Sequence, residues 1–138
     1  MIDNNFFRKT PTNFELNGPT LSFTTQPVGV ATTNGGSATF IGIATATFPQ
    51  AASNSGSIVY QWYDQNGAIS NGTYVTGAAT TTLTISNLIS PTDHNRQIYL
   101  QADYVPAQTT GNALNEPANS NVGIVTVYPS IVIATQPA

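Results

Sequence analysis

From Ala38 to Phe48 the chain sets a small or apolar residue at every second position: Ala38, Phe40, Gly42, Ala44, Ala46 and Phe48. The residues between them are all Thr or Ile. A period of two belongs to a strand with one buried and one open face, and β-branched residues suit that geometry. Pro49 ends the run. The pattern recurs along the chain. Residues 58–63 predict a second strand, closed by Asp64-Gln65-Asn66-Gly67. Asn-Gly is a strong turn signal because both residues tolerate positive φ, and Asn71-Gly72 repeats it. Residues 82–88 alternate with Leu83 and Ile85 on one face, and residues 91–95 form a turn. Residues 97–105 predict the next strand, with Ile98, Leu100, Ala102 and Tyr104 on one face. A loop rich in Asn, Gly and Pro covers residues 106–119, and the last strand spans residues 122–127. Pro27, Pro129 and Pro137 mark element ends, where proline is tolerated. No stretch shows the 3.6-residue apolar period of a helix. About seven short strands with regular turn signals predict an all-β sandwich.

Composition removes most chemistries. Charged residues are 7% of the chain, against about 25% in an ordinary domain. Without cysteine there is no disulfide scaffold, thiolate zinc site or cysteine nucleophile. His94 is the single histidine, which excludes a multi-histidine metal site. Three basic residues cannot track a phosphate backbone, so nucleic acid is not an expected partner. No apolar run approaches the roughly 18–20 residues of a membrane span. The N-terminal residues do not read as an ordinary signal peptide. With 40% hydrophobic residues the chain can bury a core of ordinary size.

One internal echo bears on domain organisation. Leu21-Ser22-Phe23-Thr24-Thr25-Gln26-Pro27 resembles Ile131-Val132-Ile133-Ala134-Thr135-Gln136-Pro137. Both alternate and both exit through Thr-Gln-Pro. The expectation is that each opens a domain in a tandem array. Residues 1–19 are then an extended N-terminal arm, residues 20–128 the sandwich, and residues 129–138 a linker with the first strand of a following domain. The arm carries Phe6, Phe7 and Phe14 and two of the three basic residues, Arg8 and Lys9. Those five residues form the expected anchor, inserting into a groove of a neighbour or pairing as an added strand. The competing reading is a tail or a cover over the domain's own end.

The central residues resemble an immunoglobulin-like domain. Tyr60-Gln61-Trp62-Tyr63 before an Asn-Gly turn is similar to that fold's strand C with its buried Trp. Leu83-Thr84-Ile85-Ser86-Asn87-Leu88 is similar to its strand E, and Asp93 to the turn before strand F. Strand F of the family reads Tyr-x-Cys-x-Ala, where this chain has Ile98-Tyr99-Leu100-Gln101-Ala102. Strand B reads Leu-x-Cys, where this chain has Phe40-Ile41-Gly42. The resemblance implies an Ig-like antiparallel β-sandwich of about seven strands, in which Gly42 and Leu100 replace the two disulfide cysteines. A small residue facing a larger one, with Trp62 over both, fills that space. Ile98 falls on the family's tyrosine-corner position. A one-residue slip would put Tyr99 there but would turn Ile98 and Leu100 outward. The Gln-Pro opening and the Gly35-Gly36-Ser37-Ala38-Thr39 segment further resemble cysteine-free domains in virion proteins of tailed bacteriophages and in bacterial surface proteins. Absence of cysteine suits assembly in a reducing cytoplasm.

The resemblance implies a non-enzymatic structural module located in a virion, as part of a fibre, tail or head decoration. Its expected partners are other virion subunits, itself, and a host-surface glycan. The alternative is a bacterial cell-surface adhesin or carbohydrate-binding module. Phe40, Gly42, Trp62, Leu83, Ile85, Ile98 and Leu100 are the expected core. Tyr63 and Tyr74 are the expected surface contacts, and Tyr60 is expected to face inward with Trp62. Asp64-x-Asn66-Gly67 has the opening of a calcium loop but lacks its later carboxylates, so a hairpin turn is expected and no metal. No nucleophile motif accompanies His94, so no catalytic residue and no cofactor is expected.

Overall fold

The computed structural model describes residues 19–48, 56–106 and 116–131. Among these residues there is no helix, and eleven strand segments follow one another. They are β1 (Thr20–Thr25), β2 (Val30–Thr33), β3 (Gly36–Ile41), β4 (Ile43–Thr47), β5 (Gly56–Asp64), β6 (Gly67–Ala68), β7 (Val75–Thr76), β8 (Thr82–Leu88), β9 (Gln97–Pro106), β10 (Ala118–Asn119) and β11 (Gly123–Tyr128). The expected arm residues Phe6, Phe7, Arg8, Lys9 and Phe14 lie outside the described residues, as does all but Ile131 of the echo segment.

Eleven segments replace about seven because several strands are interrupted. The alternating run from Ala38 to Phe48 keeps one face inward but changes partners at Gly42. Before it, β3 pairs antiparallel with β8; after it, β4 pairs antiparallel with β1. At the break the Gly42 N–H donates to the Thr81 carbonyl, 2.9 Å away. One layer therefore holds two sheets, β1-β4 and β3-β8-β7, joined along the chain through Gly42. The other has the order β2-β11-β9-β5-β6, with β10 also on β9. The chain crosses from the first layer to the second between β1 and β2. Strand β2 was not legible as an element, and it pairs parallel to β11. Among the described residues the sandwich is thus antiparallel except for this one pair.

Two clusters fill the space between the layers. The larger holds Phe40, Leu83, Ile85 and Leu88 from one sheet, and Trp62, Ile98, Leu100, Val125 and Val127 from the other. Trp62, Leu83, Ile98, Leu100 and Val125 are fully buried. The Trp62 ring tilts against Phe40 at 51° with centroids 6.3 Å apart, and its Nε1–H donates to the Thr80 carbonyl at 2.8 Å. A buried indole needs such an acceptor. Gly42 is buried opposite Leu100: a Cβ built on it would lie 2.7 Å from Leu100 Cδ2. Glycine here makes room for the leucine of the facing sheet. The smaller cluster lies beneath β1 and β4. There Leu21, Ala44, Ala102 and Tyr104 meet Phe23, Phe48, Ile58 and Tyr60. Alanines on both sheets leave space that the aromatic rings occupy, and Phe48 meets Tyr104 edge-on. Tyr60 is half-buried and borders both clusters; its hydroxyl donates to the Ala44 carbonyl and accepts from the Ala44 N–H, both at 3.3 Å.

Turn chemistry departs from the simple expectation. Of Asn66-Gly67 only Gly67 has positive φ, 126°; residues 65 and 66 form the loop, and the Asp64 carboxylate accepts from the Asn66 N–H at 2.8 Å. Neither Asn71 nor Gly72 has positive φ. The Asn71 side chain instead accepts from the Ala78 N–H at 2.9 Å, and the chain reverses at Thr73 and Tyr74 between Gly72 and Val75. Among the described residues the asparagines with positive φ are Asn87, at 55°, and Asn95, at 65°. Asn87 lies in a bulge of β8, where the register against β3 shifts between Gly36 and Ala38. The bulge turns Leu88 inward three residues after Ile85, giving the Leu-x-Ile-x-x-Leu pattern its spacing.

Candidate interaction surface

The registers of the second sheet fix which side chains share its outer face. Trp62 pairs with Leu100 across β5 and β9, both inward. Alternation then sets the neighbouring pairs outward. These are Tyr63 with Tyr99, Gln61 with Gln101, Val59 with Asp103, and Ser57 with Val105. Asn119 of β10 joins beside Gln101, and Ile124 of β11 lies beside Gln97.

The central feature is an aromatic pair continued by amides. Tyr63 and Tyr99 are stacked, with centroids 5.3 Å apart and planes within 10°. The Tyr63 hydroxyl donates to Gln101 Oε1 at 3.4 Å, and Gln101 Nε2 donates to Asn119 Oδ1 at 3.1 Å. Gln61 Nε2 is held by the Ile69 and Trp62 carbonyls at 2.7 and 2.9 Å. Around this strip Val59, Val105, Ile124 and Tyr128 are exposed. Asp103 is its one described carboxylate, and Asp103 Oδ1 accepts from the Tyr104 N–H at 2.8 Å. The face is therefore aromatic and amide-rich with little charge. It can stack on and hydrogen-bond to a neutral polar ligand, without strong long-range steering.

Sequence reading placed Tyr63 here alone. It is half-buried against Tyr99, not a free-standing contact. Tyr74 is exposed, but it lies in the turn leading to β7 of the other sheet, so the two tyrosines do not form a common strip. In the sequence Tyr99 stands only as an inward alternative to Ile98. The signal for its true place was the Trp62–Leu100 pairing: one step along both strands puts Tyr63 opposite Tyr99.

Three of the five described charged residues, Asp64, Asp93 and Arg96, gather at one end of this sheet. Arg96 meets Asp64 at 2.8 Å and Asp93 at 3.4 Å. The other Asp93 oxygen accepts from the Ile89 N–H at 3.0 Å. The pairs tie the turn after β5 to the turn before β9. Asp64 is thus committed to Arg96 and to its own turn. Among the described residues no group of three or more His, Cys, Asp or Glu is placed to hold a metal ion. His94 Nδ1 sits 3.2 Å from both the N–H and the carbonyl of Val127, a backbone contact and not a base beside a nucleophile. The five strands of the first layer carry no ionisable acid or base at all. Their outer face is Thr and Ser with Ile41 and Ile43, and Thr39 and Thr84 are hydrogen-bonded across it at 3.1 Å.

No family model and no curated protein matches the chain. Solved structures do. One is the complex of titin M10 with an obscurin-like 1 Ig domain, with TM-score 0.55 and 16% identity, covering 83% of this chain and 100% of that one. The Ig1-2 module of the Drosophila receptor protein tyrosine phosphatase DLAR aligns with TM-score 0.54 and 18% identity, over 86% and 52% of the two chains. The tandem Ig repeats of Dlar give 0.55 and 20%, over 81% and 50%. At these identities the likeness is one of fold. The chain adopts an immunoglobulin-like β-sandwich, and it does so without cysteine.

Proposed function

We propose that this chain is a non-enzymatic structural module of a bacteriophage virion protein, within a fibre, tail or head-decoration component. The observation that carries the reading is the cysteine-free immunoglobulin-like sandwich whose open sheet faces are uncharged or nearly so. Folds of this class serve as modules for structure and adhesion, and fold alone does not assign a role. Support for the phage assignment comes from the Gln-Pro opening and the Gly-Gly-Ser-Ala-Thr segment that begins β3. Residues 1–19 attach the module to the particle, residues 129–138 lead into a following domain, and the module self-associates or touches its neighbours through weak contacts that act together. Deleting residues 1–19 tests the anchor. The truncated chain should keep the native emission of Trp62 yet fail to join the particle. Normal incorporation of the truncate refutes the anchor.

A second reading has one observation of its own. The Tyr63–Tyr99 pair with Gln101 and Asn119 suits a neutral glycan, the ligand expected of a host-surface contact or of a bacterial adhesin. Binding on a glycan array that is lost in Tyr99→Ala supports it. An array with no binders removes it.

A further inference from the structure

We infer that β1 is a self-pairing edge, through which two copies of this chain join their β1-β4 sheets into one. The inference deepens the self-association in the reading above and rests on it.

A sheet edge presents a row of unpaired N–H and C=O groups, and proteins blunt such edges with short strands, proline, charge or bulges. Three terminal strands here are short: β7 and β6 have two residues each and β2 has four. β3 and β4 also have one partner each, but they are successive halves of one run, taken by β8 before Gly42 and by β1 after it. Strand β1 has six, Thr-Leu-Ser-Phe-Thr-Thr, with no charge and no proline. Among the described residues it pairs within its sheet only with β4. Its one irregularity lies between Phe23 and Thr25, so Thr20 to Phe23 keep regular register against Thr47 to Ala44.

The occupant follows from what the edge requires. Leu21 and Phe23 point into the smaller cluster, whereas Thr20, Ser22 and Thr24 are exposed. An added strand must match both faces, since a one-residue shift exchanges them. A second β1 does so. In a two-fold antiparallel pair centred on Ser22, Ser22 faces Ser22 of the second copy. Leu21 then faces Phe23 within the regular stretch, so the apolar pairs stay inward and the Ser22 hydroxyls outward. Such an interface is closed and uses the same patch twice. Electrostatics favours the same occupant. The net charge of -3 would ordinarily hold copies apart, but no strand of this sheet carries an ionisable acid or base. A strongly charged partner strand finds nothing there to pair with.

The test uses the full chain in sedimentation velocity from micromolar to millimolar concentration. The unaltered protein should pass from monomer to dimer. Ser22→Lys sets like charges directly opposite and should weaken the dimer by about tenfold. An equimolar mixture of Ser22→Lys with Ser22→Glu should restore it. Because the chain has no cysteine, Ser22→Cys should give a disulfide-linked dimer under mild oxidation. Thr84→Cys, outward on the interior strand β8, should not. Dimers that ignore Ser22→Lys and do not cross-link through Ser22→Cys overturn the β1 interface but leave self-association standing. A monomer throughout the range overturns both.

Discussion

Placing cysteines at 42 and 100 should cross-link the two sheets. A Cβ built on Gly42 lies 3.5 Å from Leu100 Cβ, at the short end of the roughly 3.5–4.5 Å that disulfides span. The paired change Gly42→Cys and Leu100→Cys also removes the Leu100 methyl that the Gly42 side chain would strike. A link between these positions closes a loop of about 58 residues, and chain entropy then stabilises the oxidised form over the reduced by about 4 kcal/mol. Against that, shortening the fully buried Leu100 costs about 2 kcal/mol. The oxidised variant should therefore exceed the native chain by about 2 kcal/mol, with the reduced variant below it. Urea titration followed by Trp62 emission reads the difference, because Trp62 is the only tryptophan and is buried. At a slope of about 2 kcal/mol per molar, oxidised and reduced midpoints should differ by about 2 M. Gly42→Cys alone, its sulfur driven into Leu100, should lose about 1–3 kcal/mol. Thiols that stay free under oxidation, or midpoints that coincide with and without reductant, refute the facing geometry of Gly42 and Leu100.

Other perturbations address the remaining contacts. Trp62→Phe removes the indole donor and leaves the Thr80 carbonyl without it, so thermal unfolding by circular dichroism should show a loss of about 2–3 kcal/mol. Asn87→Val forces a β-branched residue to φ near 55° and should cost about 1–2 kcal/mol, whereas Asn87→Gly should stay within about 0.5 kcal/mol of the native chain in the same denaturant assay. Arg96→Met strands the Asp64 and Asp93 carboxylates and should lose about 1–3 kcal/mol, with the deficit shrinking in high salt.

How much of this was readable depends on which residues carried the information. The inward set on β9 followed from strict alternation, because Ile98, Leu100, Ala102 and Tyr104 are separated by polar or exposed residues. Trp62 could be placed over Gly42 and Leu100 because a small residue facing a larger one leaves space that a buried ring fills. The strand from Ala38 to Phe48 could not be divided, since its pattern runs unbroken through Gly42 and the change of partner lies in the other strands. Strand β2 escaped because Val-Ala-Thr-Thr carries only a weak alternation, and its partner β11 is about 95 residues away in the chain. The asparagine turns misled because side-chain hydrogen bonds, as at Asn71, compete with positive φ for the same residue type. The Tyr63–Tyr99 strip required the register between two strands, which no single segment contains.

The crossing of the chain from β1 to β2 has a mechanical consequence. Strand β2 leaves the N-terminal side of the domain and lies parallel to β11, in register from Val30 beside Val125 to Thr33 beside Tyr128. Tension applied through the two ends pulls β2 toward its start and β11 toward its finish. In a parallel pair those directions are opposed along the strands, so the ladder is loaded in shear and its bonds share the force. An antiparallel last pair would instead be opened one bond at a time from its end. The one departure from antiparallel order thus lies where a module strung between neighbours would be pulled hardest.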